Sequence, residues 1–168
     1  GCALGSMLVH PQEAMGQSIE GYLEKVPIAD RWSIAASGLL RNQVMLFKSI
    51  LEREGPEKYV EFQKKDSSAA AVRNKGFADR LGFTGNDAKA AASIISALLI
   101  IAYGPKGKYE MEASSEKARV VCTNCEFWNE VKNQKINEDL CSVRTRIYWE
   151  GMAKAINPRL TSTLLNAR

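Results

Sequence analysis

The chain of 168 residues contains a single histidine, His10. A Ser-His-Asp triad or a histidine-based metal site would therefore have to recruit a residue close to the N-terminus. Cysteine is also scarce, with only Cys2, Cys122, Cys125 and Cys141. Residues 1–6 are expected to be an added leader, with the native start at Met7. That leaves three cysteines, an odd number unsuited to a disulfide framework, and so a reducing, cytoplasmic setting is expected. Basic residues outnumber acidic ones by only 23 to 19, giving a net charge of +4. Such a mild surplus does not mark a dedicated nucleic-acid binder, and no nucleic-acid partner is expected. No signal core is present, and the most apolar run, Ala90 to Tyr103, has 14 residues, fewer than the roughly 20 a membrane span needs. There is no Gly-x-Ser-x-Gly elbow. Gly104-Pro105-Lys106-Gly107 lacks both the spacing and the following helix of a phosphate loop.

What is present describes a globular chain. Hydrophobic residues make up 45% and charged residues 25%, and one domain over residues 7–168 can build a core without staples. Proline and glycine punctuate it. A first helix is expected from Pro11 to Lys25, ended by Pro27. A second, capped by Asp30, runs from Arg31 to Glu54 and stops at Gly55, with Ile34, Leu39, Leu40, Val44, Phe47 and Leu51 as its apolar positions. A third runs from Pro56 to Leu81, with Tyr59, Phe62, Val72 and Phe77 marking its apolar side. A fourth, buried, runs from Ala88 to Tyr103. Lys108 to Ala113 and Ala118 to Cys122 then form a hairpin. Phe127 to Val131 reads as one helical turn. A last long helix extends from Asn137 or Glu138 to Ile156, and Leu160 to Asn166 as a final strand. Helices followed by hairpin, helix and strand predict an α+β fold in which N-terminal helices pack on a small antiparallel sheet.

Chemistry concentrates near the end of the chain. Cys122 and Cys125 have C-x-x-C spacing, and Cys141 follows 16 residues after Cys125. With a carboxylate such as Glu126, thiolates could hold zinc, but a strong zinc signature has two such pairs. Small buried hydrophobes, a ligand or nucleophile pair, and a redox dithiol are all readings of these cysteines. Cys141 falls in the first turn of a helix, where free N–H groups favour a thiolate; Glu138 and Asp139 oppose that and Arg144 supports it. Cys141, Arg144, Thr145, Tyr148 and Met152 share one face of that helix, and Arg144 there could fork onto a small carboxylate. The alternative is a solvated face. Trp32, Trp128 and Trp149 read as core or pocket walls. The basic residues between Lys64 and Arg80 alternate with acids and form a mixed, wet face.

The order of late motifs resembles a known family. The helix Val72-Arg73-Asn74-Lys75-Gly76-Phe77-Ala78-Asp79-Arg80-Leu81-Gly82 is followed by an apolar helix and a hairpin. Next come Cys122-Thr123-Asn124-Cys125-Glu126-Phe127, then Leu140-Cys141, Glu150-Gly151 and Asn157-Pro158. Together these resemble the L-2-amino-thiazoline-4-carboxylic acid hydrolase-like family and, more distantly, vinyl-reductase-type ligand-binding domains. The resemblance covers roughly Leu51 to the C-terminus. It implies an α/β ligand-binding domain and hydrolysis of a C–N bond in a small heterocyclic acid. Cys125 and Cys141 match the family's cysteines, and Asn157-Pro158 its helix-ending pair. Glu126 stands where proline is common, and the Cys141–Asn157 interval is about one helical turn longer than expected. Members usually continue into a cysteine-containing turn and a further strand, and the sequence up to Arg168 is expected to lack them; that turn supplies metal ligands in sensor relatives, so a zinc site is expected to be incomplete.

Two functions are carried forward. In an enzyme, Arg144 would hold the substrate carboxylate, Cys141 or Cys125 would serve as nucleophile or zinc ligand, and Glu126 or Glu150 as acid/base. In a non-catalytic sensor or carrier, Tyr148, Trp128 and Trp149 would line a pocket for a small apolar or aromatic ligand. A homodimer paired through the last strand is a further expectation.

Overall fold

The structure, a computed structural model, describes residues 23–165. Leu23 and Glu24 are helical, but the rest of the expected first helix, with Cys2 and His10, lies outside the described residues. The described chain is α+β. Its elements are α1 (Ile28–Glu54), α2 (Pro56–Arg80), α3 (Ala88–Tyr103), β1 (Lys108–Ala113), β2 (Ala118–Asn124), α4 (Glu126–Asn133) and α5 (Leu140–Ile156).

Local chemistry accounts for most boundaries. Gly55, at φ +84°, sits in the left-handed region and turns α1 directly into α2, whose first residue is Pro56. Asp87 caps α3 by accepting from the Ala90 N–H at 2.8 Å. Asp139 caps α5 by accepting from the Ser142 N–H at 2.9 Å, so this helix starts at Leu140 and not at Asn137 or Glu138. The expectation for α1 is corrected too. It begins at Ile28, and Asp30 is inside its first turn and makes no capping bond. Arg31 instead donates through Nε to the Val26 carbonyl at 2.7 Å and through Nη2 to the Leu23 carbonyl, holding the chain that enters the helix.

The strands β1 and β2 form a two-stranded antiparallel sheet. Its register pairs Lys108 with Asn124 but Tyr109 with Cys122, so Thr123 is the extra residue of a bulge. The expected last strand does not form over residues 160–165. After α5 the chain turns instead: the Asn157 side chain donates to the Asn86 carbonyl at 2.8 Å and accepts from the Arg159 N–H at 3.0 Å. This tie runs to the loop before α3, away from pairing with the hairpin.

The inner faces differ from their sequence pattern in two helices. Ile34 and Leu39 of α1, read as core, are 68% and 62% exposed, whereas Ala36, Leu40, Val44 and Phe47 are buried. In α2, Val72 and Phe77 are exposed, while Tyr59, Gln63, Ser67, Ala71 and Ala78 are buried. In α2 the reason is close approach to α5. A Cβ on Gly151 would stand 2.9 Å from the Ala71 Cβ, so only small side chains fit where the two helices meet. Large side chains gather elsewhere. Phe47 meets the rings of Tyr59, Phe62 and Phe127 at centroid distances of 5.7, 6.0 and 6.1 Å, and Phe127 meets Tyr103 at 6.2 Å.

Candidate functional site

Arg144 ends this aromatic run. Its guanidinium carbon lies 4.9 Å from the Phe127 ring centroid, 5.3 Å from Tyr103 and 6.0 Å from Tyr148. These are cation–π distances. Its Nη2 donates to the Tyr103 hydroxyl, and Tyr103 in turn donates to Gln43 Oε1 at 3.4 Å. No acidic side chain pairs with Arg144 among the described residues. The face of α5 that carries it is therefore not a solvated one. Tyr148 and Met152 are buried, and Cys141, Arg144 and Thr145 are half-buried.

Three further bonds fix the surroundings. The Tyr59 hydroxyl donates to the Leu140 carbonyl at 3.0 Å and anchors the start of α5. Asn74 Nδ2 donates to the Tyr148 hydroxyl oxygen at 2.8 Å. The Trp32 indole N–H donates to the Ile101 carbonyl at 3.0 Å, pinning α1 to the end of α3. Burial pushes the hydroxyls of Tyr59, Tyr103 and Tyr148 up from their ordinary value of 10.0, with Arg144 acting in the opposite direction on each. All three phenols are thus neutral hydrogen-bonding groups around one cation.

The cysteines adjoin this cluster. Cys125 caps α4, its Sγ accepting from the Trp128 N–H at 3.4 Å. The cap extends α4 over Glu126–Asn133, longer than the single expected turn. Cys141 Sγ and Thr145 Oγ1 are 3.5 Å apart. Both cysteines pack against the main core together with Trp128 and Trp149. Hydrogen bonding with Cys125 and then burial push the Cys141 thiol up from 9.0, and hydrogen bonding with Cys122 pushes Cys125 up. The helix terminus does not win at Cys141: a neighbouring thiol and desolvation outweigh it, so the proton is retained at neutral pH.

The other expected site residues are scattered. Glu126 Oε1 accepts from the Asn124 side chain at 3.1 Å, beside the bulge. Glu150 is exposed, and its place nine residues after Cys141 sets it across the helix axis from that thiol. The rings on Arg144 are those of Tyr103, Phe127 and Tyr148, while Trp128 and Trp149 pack on the core. Among the described residues, no group of three or more His, Cys, Asp or Glu side chains is arranged to hold a metal ion. Cys125 and Cys141 are thus not part of such a group. No described helix is long and apolar enough to cross a membrane.

Two cavities lie apart from this cluster. One of about 180 Å³ is bounded by Lys48, Leu51, Glu52, Ile136 and Glu138. The other, an open cleft of about 470 Å³, runs beside the first half of α3 between Phe83, Ala90, Ile94 and Ala97. Neither is lined by Arg144, Cys125 or Cys141.

Sequence reasoning found Arg144 and Tyr148 but missed Tyr59, Tyr103, Phe127, Asn74 and Gln43 as their neighbours. Tyr103, the last residue of the apolar helix before Gly104, and Phe127, next to Glu126, could have been flagged as aromatics at element ends. Asn74 and Gln43 carry no local signal. No family model matches the chain, and neither a curated protein nor a solved structure matches it significantly.

Proposed function

We propose that this domain binds a small organic acid without transforming it, as a sensor or carrier, with Arg144 as the anchor for the carboxylate. The observation that carries this reading is the half-buried guanidinium, enclosed by three aromatic rings and without an acidic partner among the described residues. A cation so placed keeps donors available for a forked bond to a carboxylate, and the rings offer surface to the acid's cyclic or apolar part. The small heterocyclic acids implied by the family resemblance fit this chemistry. Hydrolysis of their C–N bond is less well supported. It requires an ionised thiol or a placed base, yet both Cys125 and Cys141 hold their protons more tightly than ordinary thiols and Glu150 lies across the helix axis from Cys141. Zinc and a second copy of the chain have no part in this reading.

Calorimetric titration with small cyclic acids and their neutral primary amides tests it. The acid should bind and the amide should not. Arg144→Lys, which keeps the charge but loses the fork, should weaken binding roughly tenfold or more, as expected for a charge-assisted bond. Equal binding of acid and amide, or an unaffected Arg144→Lys protein, overturns the proposal.

A further inference from the structure

The hydroxyl groups flanking Arg144 are not equivalent. Tyr103 uses both of its capacities inside the protein: its oxygen accepts from Arg144 and its hydrogen goes to Gln43. Tyr59 gives its hydrogen to the Leu140 carbonyl. At Tyr148 the situation is reversed. Its oxygen accepts from the Asn74 amide at 2.8 Å, and its own hydrogen has no acceptor among the described residues. Tyr148 as a whole is only 4% exposed. A buried donor left unused is costly, and such groups in native structures ask for a partner.

We propose that Tyr148 is the second donor to the bound acid and that Asn74, on the neighbouring helix α2, is the residue that positions it. The Asn74 amide can only donate from Nδ2, so it occupies a lone pair on the phenol and leaves the O–H hydrogen for another acceptor. The ring of Tyr148 lies beneath the Arg144 guanidinium, at 6.0 Å. An oxyanion near both would accept a forked bond from Arg144 and one bond from Tyr148. This inference rests on the organic-acid reading of Arg144 and adds to it a donor pair that selects a carboxylate over a neutral carbonyl.

The test is a double-mutant cycle read by calorimetric affinity, with benzoate, nicotinate and 2-aminothiazoline-4-carboxylate as probes. Tyr148→Phe keeps the ring and removes the hydrogen, and should weaken binding of the acid about tenfold. Asn74→Asp replaces the amide donor by an acceptor, so that the phenol hydrogen is consumed within the protein, and should weaken binding by at least as much. In the Tyr148→Phe background, Asn74→Asp should cost little more. If it weakens binding by the same factor in both backgrounds, the added charge and not the phenol hydrogen is responsible, and the role given to Asn74 fails. If Arg144→Lys loses affinity while Tyr148→Phe binds like wild type, the second donor is overturned and the Arg144 reading stands. If wild-type protein binds none of the acids, both fall together.

Discussion

The two helices that flank the core, α2 and α3, solve the problem of burial in opposite ways. The buried face of α3 is large and apolar, with Ile94, Ile95, Leu98 and Leu99. That of α2 is small and polar for most of its length, with Gln63, Ser67, Ala71 and Ala78 after Tyr59. Area removed from water holds α3 in place. Close backbone approach to α5 holds α2, with Gly151 against Ala71, and leaves room for polar groups such as Asn74 to reach the Arg144 cluster. A helix may thus be judged peripheral by its hydrophobicity and still supply half of a binding site.

Breaking the large-residue side should have the largest effect. Ile95 is 1% exposed, and Ile95→Ala should cost about 3 kcal/mol in chemical denaturation, from lost transfer energy plus the cavity left behind. On the small-residue side the equivalent injury is addition, not removal. Gly151→Val should cost about 2 kcal/mol by overpacking Ala71. Ile95→Ala and Gly151→Val should be close to additive if the two packings are independent; strong coupling would show that they form one unit.

Alkaline pH sharpens the contrast around α5. The thiol of Cys141 and the phenols of Tyr59, Tyr103 and Tyr148 all bind their protons more tightly folded than unfolded. The unfolded chain therefore loses protons first, the slope of stability against pH is negative, and stability present below the ordinary thiol value of 9.0 is lost as pH rises above it. The melting temperature should fall steadily from pH 8.5 to 10.5, and labelling of Cys141 in native protein at pH 7 should be slower than that of a free thiol. A flat melting profile would contradict the burial of these groups.

The smallest effects test the polar stripe of α2. Gln63 Oε1 accepts from Ser67 at 2.8 Å, but its Nε2 is buried without a partner. Replacing both, as Gln63→Met with Ser67→Ala, should be neutral or stabilise by up to about 1 kcal/mol, because no donor is then stranded. Gly76, on the same helix but with open space around its Cβ position, should tolerate alanine with a gain of roughly 0.5–1 kcal/mol. A marked loss in either variant would mean that the stripe specifies the α2–α5 register.

Helix ends were readable where the chemistry is local. Gly55-Pro56 and Asp87 set their boundaries through backbone conformation and a single side-chain bond, and Ala88 to Tyr103 is found as expected. The hairpin was readable for the same reason, apart from the bulge at Thr123 that lengthens β2 to Asn124. Leu160 to Leu165 alternates like a strand, but a strand exists only with a partner, and the Asn157–Asn86 tie takes the segment elsewhere. Val72 and Phe77 misled because apolar periodicity assumes that the larger residues face the core. Where helices nearly touch, the smallest ones do.

The α+β order, the position of most turns and the presence of one unusual helix carrying Cys141, Arg144 and Tyr148 on one face are written into the order of residues. These follow from periodicity, proline and glycine, which act within a few residues. That this face points inward is a result of the packing of distant segments. That packing joined Tyr103 and Phe127 to Arg144 across 41 and 17 residues of chain, and Asn74 to Tyr148 across 74. The same packing makes the thiols keep their protons, because desolvation and neighbouring sulfur groups exist only once distant segments have met.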